Sequence, residues 1–283
     1  MRIGLYSCMA IIAVLLAWGC SSSTSNGAPY KGTFPVIQMD TVHGGTFAMG
    51  DSNGAVSAIP VHSVTLGDFS ISQTLITQTQ YLAVVGGSNP SFFDSGSTRP
   101  VEQVSWYTAV LFCNALSKLA GKDTVSIYSD GKLDSTVIID YSKAGYRLPP
   151  EAEYEFACRA GSTTDYYWNM NFPLDSSADT LALDSNAIWF GNSNKITGEV
   201  MTRLPNALGL YDMSGNVWEW CNDWYSGYTA AQQIDPTGPS TGISRVLRGG
   251  SWWDNAVFER SAFRFSDVPS LLYSNYGFRC VRR

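Results

Sequence analysis

Apolar and polar residues alternate in short stretches along most of the chain, and a longer helical pattern stands out only once. Between Ala109 and Ala120 the apolar positions recur every three or four residues. This spacing predicts a helix that starts near Ser105 and ends at Gly121.

Two shorter helices are predicted from their start signals. Thr77 and Gln80 have the spacing of a capping box, which predicts a helix from there to about Val85. Pro149 and Pro150 precede three alternating glutamates, which suit the positive end of a helix that begins there.

Strand signals are short and separated by turn residues. The best runs are residues 46–49, 63–66, 69–72, 246–248 and 278–281. The remainder is expected to be loop, and so much irregular backbone must satisfy its hydrogen bonds through side chains or a bound ion.

The N-terminus has the pattern of an export signal. Arg2 precedes an apolar run at residues 9–17, which is too short for a hydrocarbon core that needs roughly 20 residues. The sequence around Cys20 resembles the lipobox of bacterial lipoproteins, although Ala17 and Trp18 depart from the usual residues and leave ordinary signal cleavage open. The predicted organisation is a signal peptide at 1–19, a flexible tether at 20–33 and one domain at 34–283.

Charge and histidine content exclude several functions. The net charge is −6 and no cluster of Lys and Arg is present, which argues against a nucleic-acid partner. The two histidines, His43 and His62, are too few for a multi-histidine metal centre. His62 opens a predicted strand, so we expect it to have a packing or surface role.

Four cysteines remain after Cys8 and Cys20 are assigned to the signal and the lipid. An even number in an exported chain is typical of disulfides, and the absence of a C-x-x-C pair argues against zinc. These residues are Cys113, Cys158, Cys221 and Cys280.

Six ordered motifs carry a family resemblance. They are GGTFAMG (44–50), PVEQVSWYTAVLFCNALS (100–117), YRLPPEAEYEFACRAG (146–161), LGLYDMSGNVWEW (208–220), RVLRGGSW (245–252) and GFR (277–279). Together they resemble the formylglycine-generating-enzyme, or sulfatase-modifying factor, family. The resemblance implies an α+β fold similar to an elaborated C-type lectin, with few short helices and strands, much irregular loop and a cleft near the C-terminal motifs.

The resemblance also implies a chemistry that this chain departs from. Founding members oxidise a cysteine of a sulfatase to formylglycine with copper(I), held by two thiolates after the GGS motif. Here no cysteine lies between Cys221 and Cys280, and Asp254 with either Ala256 or Glu259 occupies the two positions. Carboxylates are hard ligands, so we expect neither copper binding nor oxidase activity.

Two further features follow from the resemblance. Cys113 and Cys280 match a family disulfide. Cys158 matches a second one whose partner position holds Ser261, which leaves open a free Cys158 or a bridge to Cys221.

A family calcium site maps onto the stretch after GLY. The matching ligands are the Asp212 and Glu219 side chains and the Gly215 and Val217 carbonyls, a mixture of oxygen donors that suits calcium. The alternative is that Asp212 caps a turn and Glu219 pairs with an arginine.

In the family that the chain resembles, the region between the RGGS and GFR motifs lines the cleft. Trp253, Asp254, Asn255, Phe258 and Glu259 are therefore the ligand-cleft candidates. Bacterial lipoproteins diversified by retroelements resemble this chain, and they vary this region to change ligand.

These features favour a non-catalytic binding module with a protein or a small ligand in its cleft. An oxidoreductase or other enzyme with altered site chemistry is one alternative, and a scaffold subunit of an envelope or secretion machine is another. The expected location is the bacterial cell envelope, as a membrane-anchored lipoprotein on the periplasmic or cell-surface face.

Overall fold

Four α-helices are found in the part of the chain that the computed structural model describes, residues 36–52, 56–94, 98–128 and 137–283. They are α1 (Gln78–Val85), α2 (Trp106–Leu119), α3 (Glu151–Arg159) and α4 (Ser177–Asn186). The predicted signal peptide and tether lie outside the described residues. None of these helices has the length and apolar run that a bilayer crossing requires.

The helix starts follow from local capping. Thr77 and Gln80 form the predicted capping box of α1, and Ser105 caps α2 together with Thr108. The fourth helix was not predicted, although Ser176 and Asp179 form the same kind of box at its start. Most of α4 is exposed or half-buried and it has no clear apolar face, so the capping box was the only sequence feature that could have predicted this helix.

Twelve short strands are present in the same described residues. They are β1 (Met39–Val42), β2 (Gly45–Met49), β3 (His62–Leu66), β4 (Phe69–Ser72), β5 (Ser126–Tyr128), β6 (Val137–Ile139), β7 (Trp218–Trp224), β8 (Gln233–Ile234), β9 (Arg245–Arg248), β10 (Arg264–Asp267), β11 (Tyr276–Gly277) and β12 (Val281–Arg282).

The strands form four small sheets, with orders β1-β4-β12, β10-β9-β7-β11, β2-β3-β8 and β5-β6. Pairing is antiparallel except between β11 and β7 and between β3 and β8. Short helices and small mixed sheets joined by long loops give the α+β, C-type-lectin-like architecture expected from the motifs.

The predicted strand at 278–281 is wrong as a continuous element. Tyr276 and Gly277 pair with β7, whereas Val281 and Arg282 pair with β4. The residues between them cross from one sheet to the other, and the carbonyl groups of Phe278 and Cys280 accept hydrogen bonds from Ile76 and Ser72. An apolar run whose backbone hydrogen bonds go to two different sheets has the same sequence pattern as a single strand.

The core lies between α2, α3 and the sheet around β7. Trp106 of α2 and Trp220 of β7 are fully buried, and each indole N–H donates to a main-chain carbonyl, of Cys221 and Val104 respectively. His62 is buried at the start of β3 and packs edge-on against Tyr228, as the packing role predicted for it requires. This core fixes β7 and β9, whose following loops carry the candidate site.

Candidate functional site

Five aromatic rings form an unbroken series of contacts beside the RGGSW turn, and we call them the aromatic chain. In order they are Phe92, Phe93, Trp252, Trp253 and Phe190, with ring centroids 5.0, 5.3, 5.2 and 5.9 Å apart. The two ends and Trp253 are open to solvent, with exposed fractions of 67% for Phe92, 53% for Trp253 and 47% for Phe190. The buried Trp252 and half-buried Phe93 support the exposed rings from below.

Asp254 links Trp253 to the sheet beneath it. Its Oδ2 accepts a hydrogen bond from the Trp218 indole at 2.8 Å and another from the Ser251 hydroxyl. Its main-chain carbonyl accepts from the Phe190 amide at 3.0 Å. Burial raises the pKa of Asp254, and the two donors act against that shift. Asp254 therefore joins the turn that carries Trp253 to Trp218 of β7 through its carboxyl group, and to Phe190 through its main-chain carbonyl.

Glu259 is a buried acid directly below this turn. Its side chain is fully inaccessible, and no hydrogen bond of regular geometry reaches either carboxyl oxygen within the described residues. Burial raises its pKa well above the usual range, the charge of Asp254 raises it further, and the Ser251 amide lowers it. Gly250 has φ +76°, and a Cβ there would lie 2.6 Å from the Glu259 carboxyl oxygens. The RGGS glycine is thus required by the close approach of this acid.

The other two cleft candidates occupy the short 3-10 turn that ends at Glu259. Asn255 is exposed and its carbonyl accepts from the Phe258 amide at 2.9 Å. Phe258 is half-buried and packs edge-on against Phe263. The structure therefore gathers Trp253, Asp254 and Asn255 at the surface, while Phe258 and Glu259 support them from inside.

The predicted calcium side chains have protein partners. Glu219 accepts from Arg279 through both oxygens, at 2.6 and 2.9 Å, and from the Tyr154 hydroxyl at 3.2 Å. Asp212 Oδ2 accepts from the Met201 amide at 3.0 Å. Because a guanidinium faces both Glu219 oxygens, the residues in this arrangement do not fit a calcium ion.

The main-chain part of the predicted calcium site is a tight turn packed against a neighbouring loop. Gly215 has φ +81°, donates to the Gly249 carbonyl at 2.7 Å, and would place a Cβ 2.3 Å from the Ile188 carbonyl oxygen. Val217 is fully buried. The geometry agrees with the alternative in which Glu219 pairs with an arginine, and calcium binding stays a prediction.

The cysteine pair predicted to be bridged is brought together by the fold. The Sγ atoms of Cys113, on α2, and Cys280, before β12, lie 3.5 Å apart as two buried thiols. Cys158 lies beside Ser261, and burial raises the pKa of its thiol to about 11. Cys221 is also a buried thiol. The Cys113–Cys280 disulfide stays a prediction, and pairing of the other two stays open.

The α3 acids and Asp223 form a second polar cluster that the sequence did not reveal. Glu151 pairs with Arg264, Glu153 with Arg147, and Glu155 with both Arg159 and Arg248. Asp223 Oδ2 accepts from the Glu151 amide at 2.8 Å and so caps α3, since its N-cap residue is a proline without a side-chain donor or acceptor. In the sequence Asp223 is one of two acids in β7 (WEWCNDW), and no local pattern marks it as the cap of α3.

Comparison with known proteins agrees with the motifs. The family model of the sulfatase-modifying factor enzyme 1-like domain matches residues 27–283. Formylglycine-generating enzyme from Streptomyces coelicolor is 31% identical, over 84% of this chain and 87% of that protein. Chaperone protein LppX from Paenibacillus barcinonensis is 34% identical, over 78% of this chain and 82% of that protein.

Among solved structures, the variable protein 1 of Treponema denticola superposes with a TM-score of 0.77 and 31% identity, covering 87% of this chain and 94% of that one. The protein kinase Pkn1 of Chlamydia pneumoniae is also 31% identical over 88% of this chain, which spans only 38% of the length of that relative. The kinase name therefore describes a longer protein.

Proposed function

Because the chain belongs to the family of sulfatase-modifying factor enzyme 1-like domains, we propose that it is a binding member of that family, exported and lipid-anchored, which contacts a ligand or protein partner through the aromatic chain. The partner lies across Trp253 and Phe190, with Asp254 and Asn255 beside it. The anchor at Cys20 displays the domain on a bacterial membrane.

The observation that carries this proposal is the exposure of firmly held aromatic rings. Trp253 is more than half exposed, yet it is fixed between Phe190 and Trp252 and by the hydrogen bonds of Asp254. Contiguous exposed apolar surface marks interaction sites, and amphipathic rings contribute large contact area with little loss of rotamer freedom.

A formylglycine-generating-type oxidoreductase, or an enzyme with altered site chemistry, is the alternative. The identity with the Streptomyces enzyme favours it, but this chain has Asp254 and either Ala256 or Glu259 after its RGGS motif, at the positions where the resemblance implies a thiolate pair. Copper(I) prefers soft sulfur donors, so these oxygens do not replace the lost ligands. The binding role is therefore the better supported of the two.

Substitution of Trp253 tests the binding role. The purified mature chain is screened against arrays of glycans and of purified extracellular proteins, and Trp253→Ala is expected to weaken any specific binding at least about tenfold, since loss of a central aromatic anchor costs about 2 kcal/mol or more. Ile243→Ala is the matched control, because Ile243 is 84% exposed and lies outside the aromatic chain. Equal binding by the Trp253 variant would rule out this surface.

A copper(I) titration with a cysteine-containing sulfatase peptide separates the two functions. We expect neither tight copper binding nor formylglycine in the peptide by mass spectrometry. Formation of formylglycine would overturn the binding-module proposal.

The anchor and the calcium site are tested separately. Cys20→Ser is expected to abolish metabolic labelling with palmitate and to release the protein from the membrane fraction.

Calcium at the predicted site requires Arg279 to leave Glu219. A rise in the melting temperature when calcium is added would support the site if Glu219→Gln abolishes that rise.

A scaffold role in an envelope or secretion machine is the second alternative. The chaperone name of the LppX relative is compatible with such a role. Purification of the chain in fixed proportion with envelope proteins, in a complex that survives Trp253→Ala, would favour the scaffold.

A further inference from the structure

A cavity lies beside the polar cluster of α3, and none of its lining residues belongs to the aromatic chain. Its volume is about 510 Å³, within the range of sites that hold small molecules. Its lining includes apolar residues, namely Met49, Ala152, Ile234 and two prolines, Pro236 and Pro239. It also includes charged residues, namely Glu151, Asp223 and Arg264, and several polar ones.

The charges that line the cavity are neutralised except at one residue. Glu151 receives Arg264 through Nε at 2.5 Å and Nη2 at 2.7 Å, and the Tyr228 hydroxyl at 3.1 Å. Arg264 Nη1 donates to the carbonyl groups of Ser57 and Ser226. These groups leave little capacity for a ligand, because their donors and acceptors already have partners.

Asp223 is the exception. Only 6% of it is exposed, and it lines the cavity. Oδ2 caps α3, but among the described residues no hydrogen bond is made to Oδ1 and no ion pair involves this carboxyl group. Asp223 Oδ1 is not one of the fully buried unpaired atoms, so it is accessible from the cavity that the residue lines. An acid oxygen that faces a cavity and makes no hydrogen bond is a site for a ligand donor.

The imidazole of His62, which also lines the cavity, offers a further acceptor. His62 Nδ1 lies 3.1 Å from the Pro60 carbonyl, which can only accept, so in the neutral ring the proton is on Nδ1 and Nε2 is an acceptor. Ser226, Thr229, Gln233 and Thr237 also line the cavity, and their hydroxyl and amide groups can donate or accept. Trp224 and Tyr228 already hold Arg245 and Arg264 over their rings, at 3.5 and 3.9 Å. Asp223 Oδ1 is therefore the acid oxygen of the described lining that is left for a charged ligand.

We infer that this cavity binds a small organic ammonium ion, whose N–H groups donate to Asp223 Oδ1 and whose apolar body packs on Met49, Ala152 and Ile234. An ammonium supplies three donors and a charge opposite to that of Asp223. A neutral ligand of the same shape lacks the charge and binds more weakly.

The affinity also depends on pH. Burial raises the pKa of Asp223 to about 7, the charge of Glu151 raises it further, and the Glu151 amide with Arg264 and Arg245 lowers it. Tyr141 and His62 are the other titratable groups near it. Since only ionised Asp223 pairs with the ammonium, binding strengthens as pH rises from 6 to 8.

The test uses 2-phenylethylamine and n-hexylamine as probes, with 2-phenylethanol as the neutral counterpart of the first. Calorimetric titration of the mature chain at pH 8 is expected to show at least about tenfold tighter binding of the amine than of the alcohol. Asp223→Asn is expected to reduce amine affinity to that of the alcohol, and its amide oxygen still accepts from the Glu151 N–H. The control is Asp123→Asn, an exposed acid outside the cavity.

Three outcomes overturn the inference: no binding of either amine to the wild type at 10 mM (about 100-fold weaker than a typical small-ligand site), equal affinity for amine and alcohol, or unchanged amine affinity in Asp223→Asn. The pH dependence in the wild type supplies a readout that does not require any variant to fold. Loss of partner binding at Trp253 leaves this cavity unaffected, so the two proposals fail independently.

Discussion

At the scale of the residue, Glu259 shows how a carboxyl group is tolerated in the interior of this protein. It lies against the Cα of Gly250, fully buried and without a regular hydrogen bond to its oxygens. A carboxylate in such a place costs far more than a neutral acid, which is why burial raises its pKa. Burial therefore favours the protonated form of this acid beneath the RGGS turn.

Replacement of Glu259 by glutamine should stabilise the protein at high pH. The unfolded chain releases the Glu259 proton near the ordinary pKa, while the folded state keeps it, so the stability contributed by the protonated acid is lost as pH rises. Gln removes this loss, and we expect Glu259→Gln to gain about 1–3 kcal/mol at pH 8 and little at pH 4. Urea unfolding at both pH values measures it, with the exposed Glu199→Gln as control.

If Glu259→Gln instead lowers the stability at pH 8, Glu259 is ionised in the folded protein and pairs with a positively charged group.

At the scale of the element, α2 and the segment before β12 are held together near Cys113 and Cys280. The two residues are 167 positions apart in sequence, and their sulfurs lie 3.5 Å apart. A bridge would tie the longest helix to the C-terminal segment that crosses between two sheets. Its effect on stability would come mainly from restricting the unfolded chain.

Oxidised protein is expected to contain the Cys113–Cys280 disulfide, and Cys280→Ser to lower stability by about 2–5 kcal/mol. Under reducing conditions the variant and the wild type should differ by much less. Non-reducing peptide mapping identifies the bridge, and Cys221→Ser is the comparison for loss of a buried thiol. A map that joins Cys113 to another cysteine would contradict the prediction.

The sequence predicted elements where the signal is local. Thr77 with Gln80 and Ser105 with its following apolar stripe mark α1 and α2, because a capping box is completed within three residues. It missed β7, whose seven residues are almost all buried and therefore lack alternation. The sequence pattern predicted one strand from Phe278 to Val281, because it does not show that the residues on either side pair with two different sheets.

At the scale of the whole molecule, several buried carboxyl groups share a raised pKa. Burial raises the pKa of Glu102 and of Asp223 to about 7, and it also raises the pKa of Asp212 and Glu219. For each group the folded-state pKa exceeds the unfolded one. Their contribution to stability is therefore complete below about pH 4 and is lost as pH rises through 7.

The protein as a whole is expected to lose stability, on the order of 2–5 kcal/mol, between pH 5 and pH 8. Urea unfolding across this range measures the slope, and Asp223→Asn combined with Glu102→Gln should flatten it. Stability that rises with pH would mean that these acids are ionised in the folded protein.

What the sequence determined by itself was the set of local signals and the ordered motifs: the helix caps, the cysteine inventory and the family. These depend on residues within a few positions of one another or on their order along the chain. The tertiary structure decided which charges meet. Glu151 pairs with Arg264 across 113 residues, and Glu219 faces Arg279 across 60. It also decided that Asp223 keeps one oxygen free on a cavity wall, because only packing determines which buried acid receives a partner.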